Sequence, residues 1–305
     1  MKWGDIMEQF EKKGLLELRK LSLDELKKYY VELRKYEFDN SVPLKGIKLR
    51  QKIHKLLLSI IKIDRVLAKE KLIIVDDKRE KTDKPIIYAC THIGGNDIQR
   101  TFEAIKDHAY LFLGDPEGLY KDISGLLLYL NGVICMETGV KNDRYIAKER
   151  AIELLKNGGD LLIYPEGAWN ITENLPVMKL YTGTIKMAIE TNAEIIPIAI
   201  EQYDDTFYVN IGKNIKVNSN VSVKEQNLDL RDALATLKWE IWEGRGMQPR
   251  ESINQSFVDN FKQSIVDKCE YGFTVDDVYA TMYKDECDIV HEQVLPYIKP
   301  KSLLK

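Results

Sequence analysis

The sequence predicts an α/β layered domain with a mostly parallel or mixed central sheet flanked by helices. An N-terminal helical segment and a helical C-terminal extension complete the class. Three observations carry the prediction. Short apolar runs, rich in β-branched residues, recur between about residues 72 and 212. Helical stripes lie between most of them, the alternation of a layered α/β fold. Two of the runs stop abruptly in polar, glycine-bearing turns, as strands do at the ligand-binding edge of an open sheet.

Residues 1–71 form the N-terminal helical segment. Ser22-Leu23-Asp24-Glu25 has the spacing of a capping box, so a helix is expected from there to about Tyr36. Asp39-Asn40-Ser41 and Pro43 break it. A second helix is expected over 44–68, with Ile47, Ile53, Leu56, Leu57, Ile60, Ile61 and Leu67 on or near one side. Between Lys45 and Lys71 stand nine Lys or Arg residues against Asp64 and Glu70 alone. A basic amphipathic helix can lie on an anionic membrane surface. It can equally pack on the domain with its charges in water; the membrane-surface element is the expectation taken forward.

Residues 72–212 form the α/β domain. Its strand candidates are Leu72–Val75, Ile86–Cys90, Tyr110–Leu113, Val133–Met136, Leu161–Tyr164, Ile195–Ile200 and Thr206–Ile211. Glu149, Ile152, Leu154 and Leu155 belong to a helix that Gly158-Gly159 ends, and Ile185 to Ile189 belong to another. From 213 to 305 the chain reads as mainly helical. Leu230, Leu234, Leu237 and Ile241 mark a helix within 228–243, and two more are expected near 253–268 and 274–284. Trp239 and Trp242 are read as packing anchors.

Composition bounds the function. At 44% hydrophobic, 30% charged and net −3, the chain has a globular profile that gives nucleic-acid binding no support. Cys90, Cys135, Cys269 and Cys287 are widely spaced, with no C-x-x-C pair; Cys90 and Cys135 lie inside apolar runs, so buried thiols in a reducing compartment are expected. The first residues lack a signal-peptide pattern. The apolar run at Leu56–Ile63 is far short of the roughly 20 residues that span a bilayer. A cytoplasmic protein, peripherally associated with the membrane, is therefore expected. The four histidines at 54, 92, 108 and 291 show no metal-ligand spacing, so no metal is expected.

The chemistry concentrates in two turns. After Ile86–Cys90 come His92, Gly94, Gly95 and Asp97, and then Ile98, Phe102 and Ile105 at helical spacing. His92 thus sits where a strand ends and Asp97 where a helix begins. A carboxylate five positions on can hold one ring nitrogen and leave the other free to draw a proton. Gly94 and Gly95 permit positive φ and close approach of a substrate to the backbone. Alone, the pair also fits a solvated turn. The second turn, Tyr164-Pro165-Glu166-Gly167-Ala168-Trp169, places Glu166 at another strand end. Two such ends in one domain favour a shared pocket.

His92-x-x-x-x-Asp97, followed by Tyr164-Pro165-Glu166-Gly167, resembles the glycerolipid acyltransferase family of the lysophosphatidic acid acyltransferase type. Gly132-Val133-Ile134 is similar to the start of that family's second block. The stretch from Lys179 through Ile195-Ile196-Pro197-Ile198 is similar to the one ending in its fourth. The resemblance covers roughly residues 70–212. It implies acyl transfer from an acyl-coenzyme A or acyl-carrier-protein thioester to a hydroxyl, with the thioester as co-substrate and no cofactor. His92 would be the general base and Asp97 its orienter, while Glu166 and Gly167, with Trp169, Gly94 and Gly95, would bind substrate. An acyl carrier protein is a candidate partner. The family's acceptor-phosphate arginines are absent, with Thr138 and Trp169 in their places; Lys141, Arg144 and Lys179 are the nearby cations. The acceptor is therefore expected to be something other than a simple glycerol phosphate, such as a glycolipid, an amino-acid-derived lipid or a sugar hydroxyl, with Trp169 as a stacking surface. Two alternatives use the same residues: a thioester or ester hydrolase, and a catalytically silent lipid-binding member.

Overall fold

Seven runs of β-branched and aromatic residues pair into one sheet, joined by a short eighth strand, in a computed structural model of the chain. The structure describes residues 10–120, 123–172, 175–246, 250–252, 254, 256–267 and 274–282. Cys269, Cys287, His291 and the chain start lie outside these residues, as do the last positions of the helices expected at 253–268 and 274–284.

The strands are β1 (Lys71–Asp77), β2 (Ile86–Cys90), β3 (Tyr110–Gly114), β4 (Val133–Met136), β5 (Leu161–Ile163), β6 (Glu194–Tyr203), β7 (Thr206–Ile211) and β8 (Ile215–Lys216). Their spatial order is β1-β7-β6-β2-β5-β3-β4, with β8 paired to β6. β6, β2, β5, β3 and β4 run parallel, while β7 and β8 lie antiparallel to β6. The sheet is thus mixed and mostly parallel. β8 falls in a stretch expected to be helical; two residues are too few for a period to show.

Alternation along β2 divides the core. Ile87 and Ala89 face one layer, with Ile152, Leu155, Ile185 and Leu230. Tyr88 and Cys90 face the other, with Phe102, Ile105 and Phe207. The first layer draws on α6 (Lys141–Lys156), α7 (Gly183–Thr191) and α8 (Val223–Arg245); the second draws on α4 (Asp97–Ile105). α8 also covers β6 and β7 through Leu237 and Ile241, so residues beyond 212 complete a face of the sheet. Of the two tryptophans on α8, Trp239 is 45% exposed, while the Trp242 indole N–H donates to Glu201 at 3.1 Å.

Before the sheet come α1 (Leu15–Leu18), α2 (Leu23–Asp39) and α3 (Ile47–Leu67). Ser22 and Glu25 form the expected reciprocal capping box of α2. Arg34 ties α2 to α6 through a bidentate pair with the buried Asp143, at 2.8 and 2.6 Å. α3 buries His54 and Leu57 against the domain and lies beside α5 (Ile123–Asn131). Its other side is apolar and open: Leu49, Leu56, Ile63 and Leu67 are each at least 60% exposed. β1 is an edge strand, and its Ile73, Ile74 and Val75 are also exposed. Among the described residues, no helix is long and apolar enough to cross a membrane. The chain also carries α9 (Phe257–Asp267) and α10 (Val275–Thr281).

Candidate active site

β2 and β5 are neighbours and parallel, with Ala89 opposite Ile163. His92 and Glu166 each stand three residues past that pair, so both chains leave the sheet together and bring the two turns into contact. The Glu166 carboxylate accepts from the His92 backbone N–H at 3.1 Å. Its other oxygen accepts from the Met178 N–H at 2.7 Å. Glu166 is wholly buried. Burial pushes its carboxyl above the usual carboxylate range, against the pull of Lys238 and the two backbone donors. Expected to help hold the acceptor, Glu166 braces the turn that carries His92 through these two contacts.

The His92–Asp97 pair has the expected geometry. Nδ1 of His92 lies 2.7 Å from Oδ2 of Asp97. The same oxygen accepts from the backbone N–H groups of Ile93 at 2.9 Å and Gly94 at 3.0 Å. Asp97 is 1% exposed and sits in the first turn of α4. Three donors on one buried oxygen hold it as a carboxylate acceptor, which fixes Nδ1 as the protonated ring nitrogen and Nε2 as the acceptor. Among the described residues, Nε2 takes no hydrogen bond. Gly94 and Gly95 have φ of +83° and +61°, which the turn needs in order to fold back on Asp97.

Aromatic rings complete the surroundings. Tyr164 stacks on the His92 ring at 4.3 Å between centroids, and Trp169 stands nearly perpendicular to it at 6.2 Å. Tyr164 is buried, which drives its phenol well above its ordinary range, so it stays a neutral platform. The half-buried Trp169 indole, expected as a stacking surface, lies against the Gly94 backbone and packs on a small apolar cluster of Ile171, Val266 and Val278. Gly167 is exposed, with φ of +71°.

Two further residues shape the site. The Asn170 backbone N–H donates to the His92 carbonyl at 2.7 Å, and its side chain donates to the Leu175 and Pro176 carbonyls. Tyr164 supplies the stack. A buried asparagine just after a Pro-Glu-Gly turn was the available signal for the first. At the far end of the same sheet edge, the Thr138 hydroxyl donates to Asp115 at 2.5 Å, and Arg144 donates to the Thr138 carbonyl. Arg144 is thus engaged with the Thr138 backbone. Cys90, two residues before His92 on β2, and Cys135, on the edge strand β4, are free thiols; burial raises both, Cys135 to about 12. Among the described residues, no three His, Cys, Asp or Glu side chains gather into a metal-holding group.

Residues 71–201 match the family model described as Acyltransferase. This domain is a member of the acyltransferase family. Over 183 residues the chain is 27% identical to a 1-acyl-sn-glycerol-3-phosphate acyltransferase of Borreliella burgdorferi, a match spanning 59% of this chain and 69% of that protein. The fold is similar to the crystal structure of the 1-acyl-sn-glycerophosphate (LPA) acyltransferase PlsC from Thermotoga maritima. That likeness has a TM-score of 0.52 and 16% identity, over 75% of this chain and 95% of that one. The acyltransferase domain starts with β1 and ends within β6, so it holds both turns of the site. The described helices α8, α9 and α10 lie beyond it.

Proposed function

We propose that the acyltransferase moves an acyl chain from a coenzyme A or acyl-carrier-protein thioester to a hydroxyl of a lipid acceptor, with His92 as general base. One observation carries this reading: a buried, triply engaged Asp97 oxygen orients His92 and leaves Nε2 available. Nε2 takes the proton of the acceptor hydroxyl as its oxygen attacks the thioester carbonyl. The tetrahedral intermediate then collapses. The C–S bond breaks and the imidazolium returns the proton to the departing thiolate. The positive N-terminal end of α4, which begins at Asp97, lies beside His92 and favours charge on the developing oxyanion. Glu166 and Asn170 hold the His92 backbone on both sides, so they position the base without touching substrate. The chemistry calls for no cofactor beyond the thioester co-substrate.

The same reading places the enzyme at a membrane surface. α3 turns Leu49, Leu56, Ile63 and Leu67 outward amid its lysines and arginines. Leu126 and Tyr129 of the adjacent α5 are exposed as well. An apolar stripe with basic flanks suits an anionic bilayer and brings lipid acceptors to the domain.

The test is thiol release from a long-chain acyl thioester, with lipid vesicles and acceptors added in turn, for the native chain and for His92→Ala. Release that needs an acceptor and disappears in the variant supports the transferase. Acceptor-independent release that still needs His92 replaces it with a hydrolase. Lipid binding without release replaces it with a silent binding protein.

A further inference from the structure

The helices α9 and α10 come from the far end of the chain, yet they reach the turn that carries the base. A Cβ placed on Gly94 would stand 3.0 Å from Cγ2 of Ile265 on α9, and 3.0 Å from Cδ2 of Trp169. The Cβ side of Gly94, two residues from His92, is therefore covered by both an indole and a branched aliphatic side chain. Behind them Ile171, Val266 and Val278 are almost fully buried, with Val275, Tyr279 and Met282 packed around. Lys262, one turn before Ile265, directs its ammonium over the Tyr279 ring at 5.7 Å.

His92 itself is closely enclosed. Tyr164 covers a ring face, Asp97 takes Nδ1, Trp169 stands nearly perpendicular to the ring at 6.2 Å, and only 14% of the side chain is exposed. Trp169 and Ile265 present carbon beside Gly94, two residues from the base. A group set against these two side chains meets carbon. A phosphate pressed on such a surface loses water without gaining donors, which is costly, whereas an uncharged group loses little.

We propose that α9 and α10 form the acceptor-side wall of the active site, and that Ile265, acting with Trp169, is a specificity-determining residue that selects a lipid acceptor whose group flanking the reacting hydroxyl is uncharged. The inference rests on the acyl-transfer reading of His92. The wall also keeps bulk water from the base, which suits transfer over hydrolysis.

The experiment uses the full chain, a long-chain acyl-coenzyme A donor, mixed lipid vesicles, and a matched acceptor pair: a monoacylglycerol and its 3-phosphate. Thiol release is followed for the native chain and for Ile265→Ala, Ile265→Val and Ile265→Arg, with a thermal melt of each. The native chain should favour the uncharged acceptor. Ile265→Ala should raise the KM for that acceptor about tenfold, the effect of lost apolar contact in a pocket, with kcat and the donor KM held within about twofold. Ile265→Arg should move the ratio of kcat/KM toward the phosphorylated acceptor. If Ile265→Ala melts early, Ile265→Val carries the test, with a smaller rise in the same KM. A native preference for the 3-phosphate overturns the proposal, as does a folded Ile265→Ala with unchanged acceptor KM. Release that survives His92→Ala with both acceptors overturns the acyl-transfer reading first and the wall with it.

Discussion

The Glu166 carboxylate and the His92 backbone N–H are joined at 3.1 Å, across the ends of two parallel strands. The second Glu166 oxygen holds the Met178 N–H at 2.7 Å. A buried side chain with one acceptor for each of two backbone donors is hard to replace. Glu166→Gln keeps the shape but turns an NH2 group toward one of the donors. An unsatisfied buried group costs about 1–3 kcal/mol. The variant should melt at a lower temperature and lose activity through kcat, on the order of tenfold or more, as His92 loses its register. An unchanged kcat in a folded Glu166→Gln would remove Glu166 from any positioning role.

How much of this was legible in the sequence depends on the range of each interaction. β2, β4 and β7 have the bounds that their apolar runs predict, because a short β-branched run closed by polar residues or glycine signals both the strand and its stop. The His92–Asp97 pair is five residues apart and local, so spacing alone reached it. The bracing of His92 by Glu166 was not legible as such. It depends on β5 lying beside β2, and nothing in the intervening residues states which strands become neighbours. Ile265 carries no signal either, since its significance comes from packing on Gly94, far away in the chain. Trp169 was legible as unusual, an aromatic placed just after a turn, but its packing with Ile171, Val266 and Val278 was not, since two of those partners lie far along the chain.

Asp97 offers a sharper test of the base. In Asp97→Asn a single amide oxygen replaces the carboxylate that serves His92 Nδ1, Ile93 N–H and Gly94 N–H. The amide also offers its own donor to Nδ1, which favours the wrong tautomer. Acceptor-dependent thiol release should fall on the order of 10²–10⁴-fold in kcat, the usual weight of an oriented general base, with little change in acceptor KM. A loss confined to KM would mean that Asp97 binds substrate instead of orienting His92.

Asp160 predicts a pH-dependent stability. Its carboxylate accepts from the Ile86 N–H at 2.8 Å, at the opposite end of β2 from His92. Burial, with Asp107 adding repulsion, raises it from an ordinary 3.8 to about 6. Because the folded state holds this proton more tightly, the contribution is fully present below pH 3.8 and is lost as pH rises through about 6. Asp160→Asn keeps an acceptor for Ile86 and carries no charge to bury. It should raise the melting temperature at pH 8 and leave it unchanged near pH 3. The same shift at both pH values would show that the effect lies in packing.

The membrane reading turns on α3. Leu56 and Ile63 are 66% and 60% exposed, so an aspartate at either position costs the fold little. On a bilayer the same side chains would be buried, and each fully buried leucine or isoleucine is worth about 1.5–3 kcal/mol. Leu56→Asp and Ile63→Asp should therefore weaken binding to anionic vesicles by about tenfold or more each, with unchanged melting temperatures. The lysines and arginines around the stripe add attraction to anionic lipid that salt screens. The native chain should sediment with anionic vesicles more than with neutral ones, and less as salt is raised. Activity toward a water-dispersed acceptor should survive both substitutions, since α3 contributes no group that touches His92. If the variants bind vesicles as the native chain does, α3 is a packing helix and its open apolar stripe serves something other than a bilayer.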